Sequence, residues 1–145
     1  LRCEKYNMKI ALYSASSGKV VNSIVDKFFK LNDKYNLQFY IESGFAKKIN
    51  SEFNVAFNSF QNYSDLDRSI DLLVTIGGDG TLLRSVSYIR NLGIPIMGIN
   101  TGRLGFLATL GSDELDEKLE KILNKKFITE KRSLLKVKFN GIDNT

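Results

Sequence analysis

A run of apolar residues that ends in a glycine-rich turn constrains the fold of this chain more than any other feature. Residues 72–76 (LLVTI) form the run, and residues 77–81 (GGDGT) follow it directly. Leu82, Val86 and Ile89 then recur at helical spacing. Long apolar runs are typical of strands that are buried on both faces, as in a parallel sheet. The pattern therefore predicts a strand, a tight turn and a helix in succession, which is a unit of an open α/β sheet.

The same alternation of strands and helices extends over most of the chain. Short apolar segments predict strands at residues 9–13, 37–41, 72–76 and 96–99. Apolar periodicity and capping residues predict helices over residues 21–34, 43–50, 82–92 and 113–126, the last with Ser112 as its N-cap. Residues 53–63 show no legible pattern. We therefore predict the α/β class, with an open, Rossmann-like, mostly parallel sheet flanked by helices.

The pattern changes near the end of the chain. Residues 134–139 alternate apolar and charged side chains, which is typical of a half-buried antiparallel strand. We assign residues 8–126 to a nucleotide-binding α/β domain. Residues 127–145 are expected to begin a truncated β-rich domain, of which the chain holds the first strand. Residues 1–7 are expected to be an irregular leader before a natural start at Met8.

Composition excludes several kinds of site. None of the 145 residues is a histidine, which excludes the Ser-His-Asp triad and any His-ligated metal. Cys3 is the single cysteine, so no disulfide can form within the chain. The net charge of +5 is scattered along the sequence, and no segment approaches the roughly 18 apolar residues of a membrane helix. We therefore expect no nucleic-acid partner, no membrane and a cytoplasmic location.

The turn at residues 77–81 has features of a phosphate site. Its three glycines let a ligand approach the main chain closely, and the following helix offers free N–H groups and a positive dipole end. Thr81 is expected to cap that helix. Asp79 is unusual, because a carboxylate repels phosphate. It makes sense if it accepts a proton from an attacking hydroxyl or holds a cation between phosphates. The alternative is an ordinary turn residue at a helix start.

A second glycine-rich segment follows the predicted strand at residues 96–99. Residues 98–107 read GINTGRLGFL. Asn100 could hydrogen-bond a ligand, and Phe106 could stack on a flat ring. The alternative is a structural loop in which Phe106 and Leu107 fill the core. The residues alone leave both interpretations open.

Together the two segments resemble the NAD kinase family. GGDGT is shared across a wider superfamily that includes lipid kinases, whereas the segment at residues 98–107 resembles the NAD kinase version. The resemblance implies transfer of a phosphate from ATP or polyphosphate to the 2′-hydroxyl of the adenosine ribose of NAD, with Mg²⁺ as the divalent cation. It also implies small-molecule nucleotides as partners and a homo-oligomer, either a dimer or a tetramer.

The resemblance carries roles onto individual positions. Asp79 would be the catalytic base near the ribose hydroxyl. Phosphate contacts are implied for Gly77, Gly78, Gly80, Thr81 and Arg84. Nucleotide contacts are implied for Asn100, Leu104, Gly105, Phe106 and Leu107. Arg84 is equally consistent with a solvated helix residue, and no residue is assigned as a metal ligand.

The chain departs from the family in one respect. NAD kinases are considerably longer, and the Asn-Glu or Asn-Asp motif that holds NAD in their second domain has no counterpart here. We therefore expect an N-terminal portion with little kinase activity alone. Two other functions stay open, namely a lipid kinase of the same superfamily and a non-catalytic module that senses a nucleotide. A purely structural role of both glycine segments is a third possibility.

Overall fold

Six parallel strands form one sheet in the computed structural model, which describes residues 7–135 and 137. The strands are β1 (Met8–Tyr13), β2 (Leu37–Glu42), β3 (Phe57–Phe60), β4 (Leu72–Gly77), β5 (Ile96–Asn100) and β6 (Leu110–Gly111). Their spatial order is β3-β2-β1-β4-β5-β6, so the order reverses between β1 and β4. Ligands of open α/β sheets bind at the carboxyl ends of the strands beside such a reversal. The predicted fold class is confirmed.

Helices cover both faces of the sheet. They are α1 (Lys19–Lys30), α2 (Asn32–Tyr35), α3 (Ser43–Ala46), α4 (Asp79–Ile89) and α5 (Leu115–Leu123), with a 3₁₀ turn at Tyr63–Asp65. Alternate residues of the central strands point to opposite faces. Val74 packs into a core cluster with α1 and α5, and Leu73 packs with Ile89 of α4. All six residues of β4 are buried, as its apolar run predicts.

The two edge strands, β3 and β6, are not predicted by the sequence. In β3 only Phe60 is buried, so the segment lacks the apolar pattern of an inner strand. Strand β6 has only two residues, too few for any periodicity. A short or mostly exposed strand buries few side chains, so neither strand leaves an apolar pattern in the sequence.

All four predicted helices differ from the observed ones at their ends. The helix predicted over residues 21–34 is divided at Leu31 into α1 and α2, and the helix predicted over residues 82–92 runs from Asp79 to Ile89. The helix predicted over residues 43–50 stops at Ala46. Ser112 is not the N-cap of α5, which begins at Leu115. Instead, the side chain of Glu114 accepts a hydrogen bond from the Gly111 N–H at 3.1 Å, and this contact satisfies the backbone ahead of the helix.

The residues after α5 form neither helix nor strand where the structure describes them. Leu134, Leu135 and Val137 are exposed. Residues 136, 138 and 139 of the predicted strand lie outside the described residues, as do residues 1–6 of the predicted leader. The boundary at residue 127 stays a prediction. Among the helices of residues 7–135, none has the length and apolar character needed to cross a membrane.

Candidate functional site

The first glycine turn joins β4 to α4 through a single residue, Gly78. Gly77 has a φ of 156°, and a Cβ placed there would lie 2.9 Å from the Cβ of Thr81. Thr81 is the third residue of α4, and its side chain covers Gly77. Its predicted capping role is therefore wrong, since Gly78 is the N-cap and no side chain caps the helix.

The start of α4 is open to a ligand. A Cβ placed on Gly78 or on Gly80 would meet no atom within 4 Å. No side chain caps the N-terminus of α4, so the positive end of the helix dipole and the first backbone N–H groups have no side-chain partner there. These are the features that attract an anion such as a phosphate.

Asp79, the first residue of α4, is bonded to the second glycine segment. Its Oδ2 accepts a hydrogen bond from the Phe106 N–H at 2.9 Å. Its Oδ1 accepts two more, from the Leu107 N–H at 3.0 Å and the Ala108 N–H at 2.9 Å. A carboxylate has about four acceptor positions, so one remains, on Oδ2.

These three bonds also set the charge of Asp79. The N–H groups of Ala108, Leu107 and Phe106 hold the pKa of the Asp79 carboxyl below its ordinary value of 3.8, because they stabilise the ionised form. The group is therefore a carboxylate throughout the physiological range.

Asn100, the last residue of β5, holds the second segment from its other side. The side chain donates from Nδ2 to the Ala108 carbonyl oxygen at 3.2 Å and accepts at Oδ1 from the Gly102 N–H at 2.8 Å. The next residue, Thr101, donates its backbone N–H to the Gly77 carbonyl oxygen at 3.2 Å. Residues 101–108, which we name the clamped loop, are therefore fixed to both β4 and β5.

Close packing leaves no room for side chains at two glycines around the clamped loop. A Cβ on Gly105 would lie 2.5 Å from Cγ and Oδ2 of Asp79. A Cβ on Gly98 would lie 2.8 Å from the Cβ of Ala108. Glycine is therefore required at both positions by contact rather than by backbone torsion.

The clamped loop presents apolar side chains outward. Phe106 is 96% exposed and Leu104 is also exposed, so the interpretation that Phe106 fills the core is wrong. Leu107 is half-buried. Arg84 lies exposed on α4 and forms no ion pair within residues 7–135.

The structure brings the two predicted segments together, and it adds residues that sequence reasoning missed. Ala108 contributes both its N–H and its carbonyl oxygen to the clamp. Ser14, buried at the end of β1, donates its hydroxyl to the Ile76 carbonyl oxygen at 2.6 Å, and so ties β1 to β4 where the strand order reverses. Its position directly after a predicted strand is the only sequence signal for it.

Sequence similarity to known proteins identifies the family of this chain. The sequence model of the ATP-NAD kinase N-terminal domain matches residues 8–127. The chain belongs to the NAD kinase family. The NAD kinases of Christiangramia forsetii and Flavobacterium psychrophilum are 42% identical over 135 residues and 39% identical over 133 residues. These alignments cover 92% and 90% of this chain but 46% and 45% of the relatives, so the chain spans less than half the length of those NAD kinases.

Two solved kinase structures share the fold. Yeast NADH kinase complexed with NADH matches with a TM-score of 0.67 at 20% identity, over 83% of this chain and 37% of that chain. An NAD kinase from Archaeoglobus fulgidus in complex with ATP matches with a TM-score of 0.53 at 24% identity, over 82% and 38%. At such identities the likeness shows the fold, and it agrees with the parallel α/β sheet described above.

Proposed function

We propose that this chain forms the nucleotide-binding part of an NAD kinase. That enzyme transfers a phosphate from ATP or polyphosphate to the 2′-hydroxyl of the adenosine ribose of NAD. The contact that carries the proposal is the one between Asp79 and the clamped loop. It places a carboxylate, an uncapped helix start and an exposed aromatic ring at one edge of the sheet. The relatives named NAD kinase support the same activity.

The glycine turn supplies the phosphate contacts in this proposal. No side chain caps the start of α4 and the space at Gly78 and Gly80 is open, so phosphate oxygens would accept hydrogen bonds from backbone N–H groups there. Gly77 and Thr81 shape the turn beneath. Arg84, one turn further along α4, is proposed to add a positive charge from the solvent side.

Asp79 has one free acceptor position for the attacking hydroxyl. Its Oδ2 holds only the Phe106 N–H, so a ribose hydroxyl would donate a hydrogen bond there and be oriented for attack. Phosphoryl transfer proceeds through a loose transition state, in which positioning and charge neutralisation supply most of the rate. A carboxylate with a lowered pKa suits this orienting role and takes the hydroxyl proton late in the step.

The clamped loop supplies the nucleotide contacts. Phe106 offers a nearly free ring on which an adenine would stack, with Leu104, Gly105 and Leu107 beside it. The chain spans less than half the length of the NAD kinases of Christiangramia forsetii and Flavobacterium psychrophilum, so we propose that residues outside it complete the NAD site.

Mg²⁺ is the implied cation, and the available protein side chains bear on where it would bind. Within residues 7–135, no group of three or more Asp, Glu, His or Cys side chains could hold a metal ion. We propose that the substrate phosphates would supply most of the Mg²⁺ ligands, with Asp79 near the ion. When bound, Mg²⁺ would neutralise phosphate charge.

The test is NADP formation from NAD, ATP and Mg²⁺ by the full-length protein and its Asp79→Asn variant. We expect activity in the wild type and a loss of about 10²-fold or more in the variant. The matched control is Asp65→Asn. Asp65 also accepts hydrogen bonds from two backbone N–H groups, those of Gln61 at 2.8 Å and Asn62 at 3.1 Å. It lies beyond the far end of α4, where the nearby Tyr63 hydroxyl donates to Asn91 at 3.0 Å.

Each other result assigns a different function. Equal activity of wild type and Asp79→Asn would make Asp79 structural. If neither forms NADP, phosphorylation of sphingoid bases or diacylglycerol would indicate a lipid kinase. Nucleotide binding without turnover of any substrate would indicate a sensing module.

The pH profile gives an independent check on Asp79. Because its folded pKa is lowered, its stabilising bonds are fully present above the ordinary value of 3.8 and are lost only as the pH falls through the lower folded value. We therefore expect no loss of activity from Asp79 between about pH 5 and 7. An acid limb in that window that Asp79→Asn abolishes would contradict the assignment.

Cytoplasmic location and assembly into dimers or tetramers stay predictions.

A further inference from the structure

We propose that Asn100 is a positioning residue that fixes the clamped loop and does not itself contact the nucleotide. The inference rests on the proposed function, because it takes the clamped loop as the nucleotide-contact segment. It revises the sequence-based expectation that Asn100 binds the nucleotide directly.

Burial separates Asn100 from any ligand. The residue is only 3% exposed, and its two amide ends are both engaged within the chain. A nucleotide on the exposed side of the loop would meet Phe106, which is 96% exposed. Asn100 therefore acts through the loop backbone.

The two bonds of Asn100 span the loop from its first turn to its end. Oδ1 accepts from Gly102, and Nδ2 donates to Ala108, six residues further along. Ala108 is also the residue whose N–H reaches Asp79. Ala108 is thus fixed at both of its backbone polar groups. Its carbonyl oxygen bonds to the Asn100 amide, and its N–H bonds to the Asp79 carboxylate.

Only a side chain with a donor and an acceptor at this reach can make both bonds. Aspartate has the same shape but places a second acceptor against the Ala108 carbonyl oxygen, where two lone pairs repel. Serine offers one short hydroxyl that cannot reach both partners. An unsatisfied buried carbonyl is unfavourable, so the end of the loop would move toward water.

The experiment compares Asn100→Asp and Asn100→Ser with wild type in the full-length protein. We expect the backbone amides of Phe106, Leu107 and Ala108 to exchange with solvent at least about tenfold faster in both variants. The KM for NAD should rise about tenfold, with a smaller fall in kcat, because the displaced loop binds the nucleotide poorly. The serine variant buries no charge, so it serves if the aspartate variant fails to fold.

The matched control is Asn124→Asp. Asn124 also donates its Nδ2 to a backbone carbonyl, that of Glu120 at 2.8 Å, but at the end of α5. It should leave both the exchange at residues 106–108 and the KM unchanged. Unchanged exchange or an unchanged KM in the Asn100 variants would overturn the proposal, as would an equal effect of the control.

Hydrogen exchange needs no turnover, and this separates the two proposals. If wild type forms no NADP, the proposed function fails. Faster exchange confined to residues 106–108 would still show that Asn100 fixes the loop, and unchanged exchange would show that it does not.

Discussion

The two glycine-rich segments reach the same edge of the sheet by different means. The turn after β4 is short, since the single residue Gly78 separates the strand from α4, and the Thr81 side chain packs over Gly77. The clamped loop has no helix of its own and is held by the side chains of Asp79 and Asn100, together with one backbone hydrogen bond from Thr101 to Gly77. The first should therefore tolerate substitution wherever space is open, and the second should depend on a few contacts.

The strongest challenge to this contrast is Gly105→Ala. The added Cβ would lie 2.5 Å from Cγ of Asp79 and would force the carboxylate off the loop. We expect kcat/KM of the full-length protein to fall on the order of 10²-fold, because both the loop and Asp79 move. Kinetics of NADP formation measure this loss.

Gly102→Ala is the control within the same loop. The nearest atom to its Cβ would be Oδ1 of Asn100 at 3.9 Å, an ordinary contact. A loss in this variant as large as that of Gly105→Ala would show that the loop needs glycine for flexibility rather than for contact with Asp79.

A smaller effect is expected for Phe106→Ala. Its ring is almost fully exposed, so the midpoint of thermal unfolding should not change. Loss of a stacking surface should weaken nucleotide binding about tenfold, as titration calorimetry with NAD or ATP would record. Phe53→Ala, a partly exposed phenylalanine outside both segments, should leave binding unchanged. A large drop in the unfolding midpoint of Phe106→Ala would contradict the exposed placement.

The smallest effect is expected for Gly80→Ala, in the first segment. The new Cβ has open space around it, and alanine stabilises a helix relative to glycine by about 0.5–1 kcal/mol. Thermal unfolding should therefore show equal or slightly higher stability. Phosphate binding should weaken a few-fold, since the methyl group occupies the space that a phosphate would use. Lower stability would show that this turn also depends on a hidden contact.

The sequence was sufficient for the inner part of the fold. Strand β4 and helix α4 were predicted because burial on both faces and helical spacing leave a local record in the residues. Strands β3 and β6 left no such record, because one is mostly exposed and the other has two residues.

The site was predictable only in part. Both segments follow adjacent parallel strands, so their meeting could be expected. The bonds between Asp79 and the loop join residues 27 to 29 positions apart. Their donors are backbone N–H groups, which every residue except proline carries. No residue pattern records such a contact. For the same reason the sequence did not indicate the burial of Asn100, on which its proposed positioning role rests.

The main-chain nature of the Asp79 contact has a consequence for how this site can diversify. The Asp79 carboxylate accepts hydrogen bonds from the backbone N–H groups of residues 106–108 and not from their side chains. These bonds therefore allow any residue except proline at positions 106 and 107. The side chains at positions 106 and 107 can thus change one at a time while the Asp79 carboxylate stays bonded to the same backbone N–H groups. Within the loop, that freedom ends at Gly105, which lies against Asp79, and at Ala108, which is buried against Gly98.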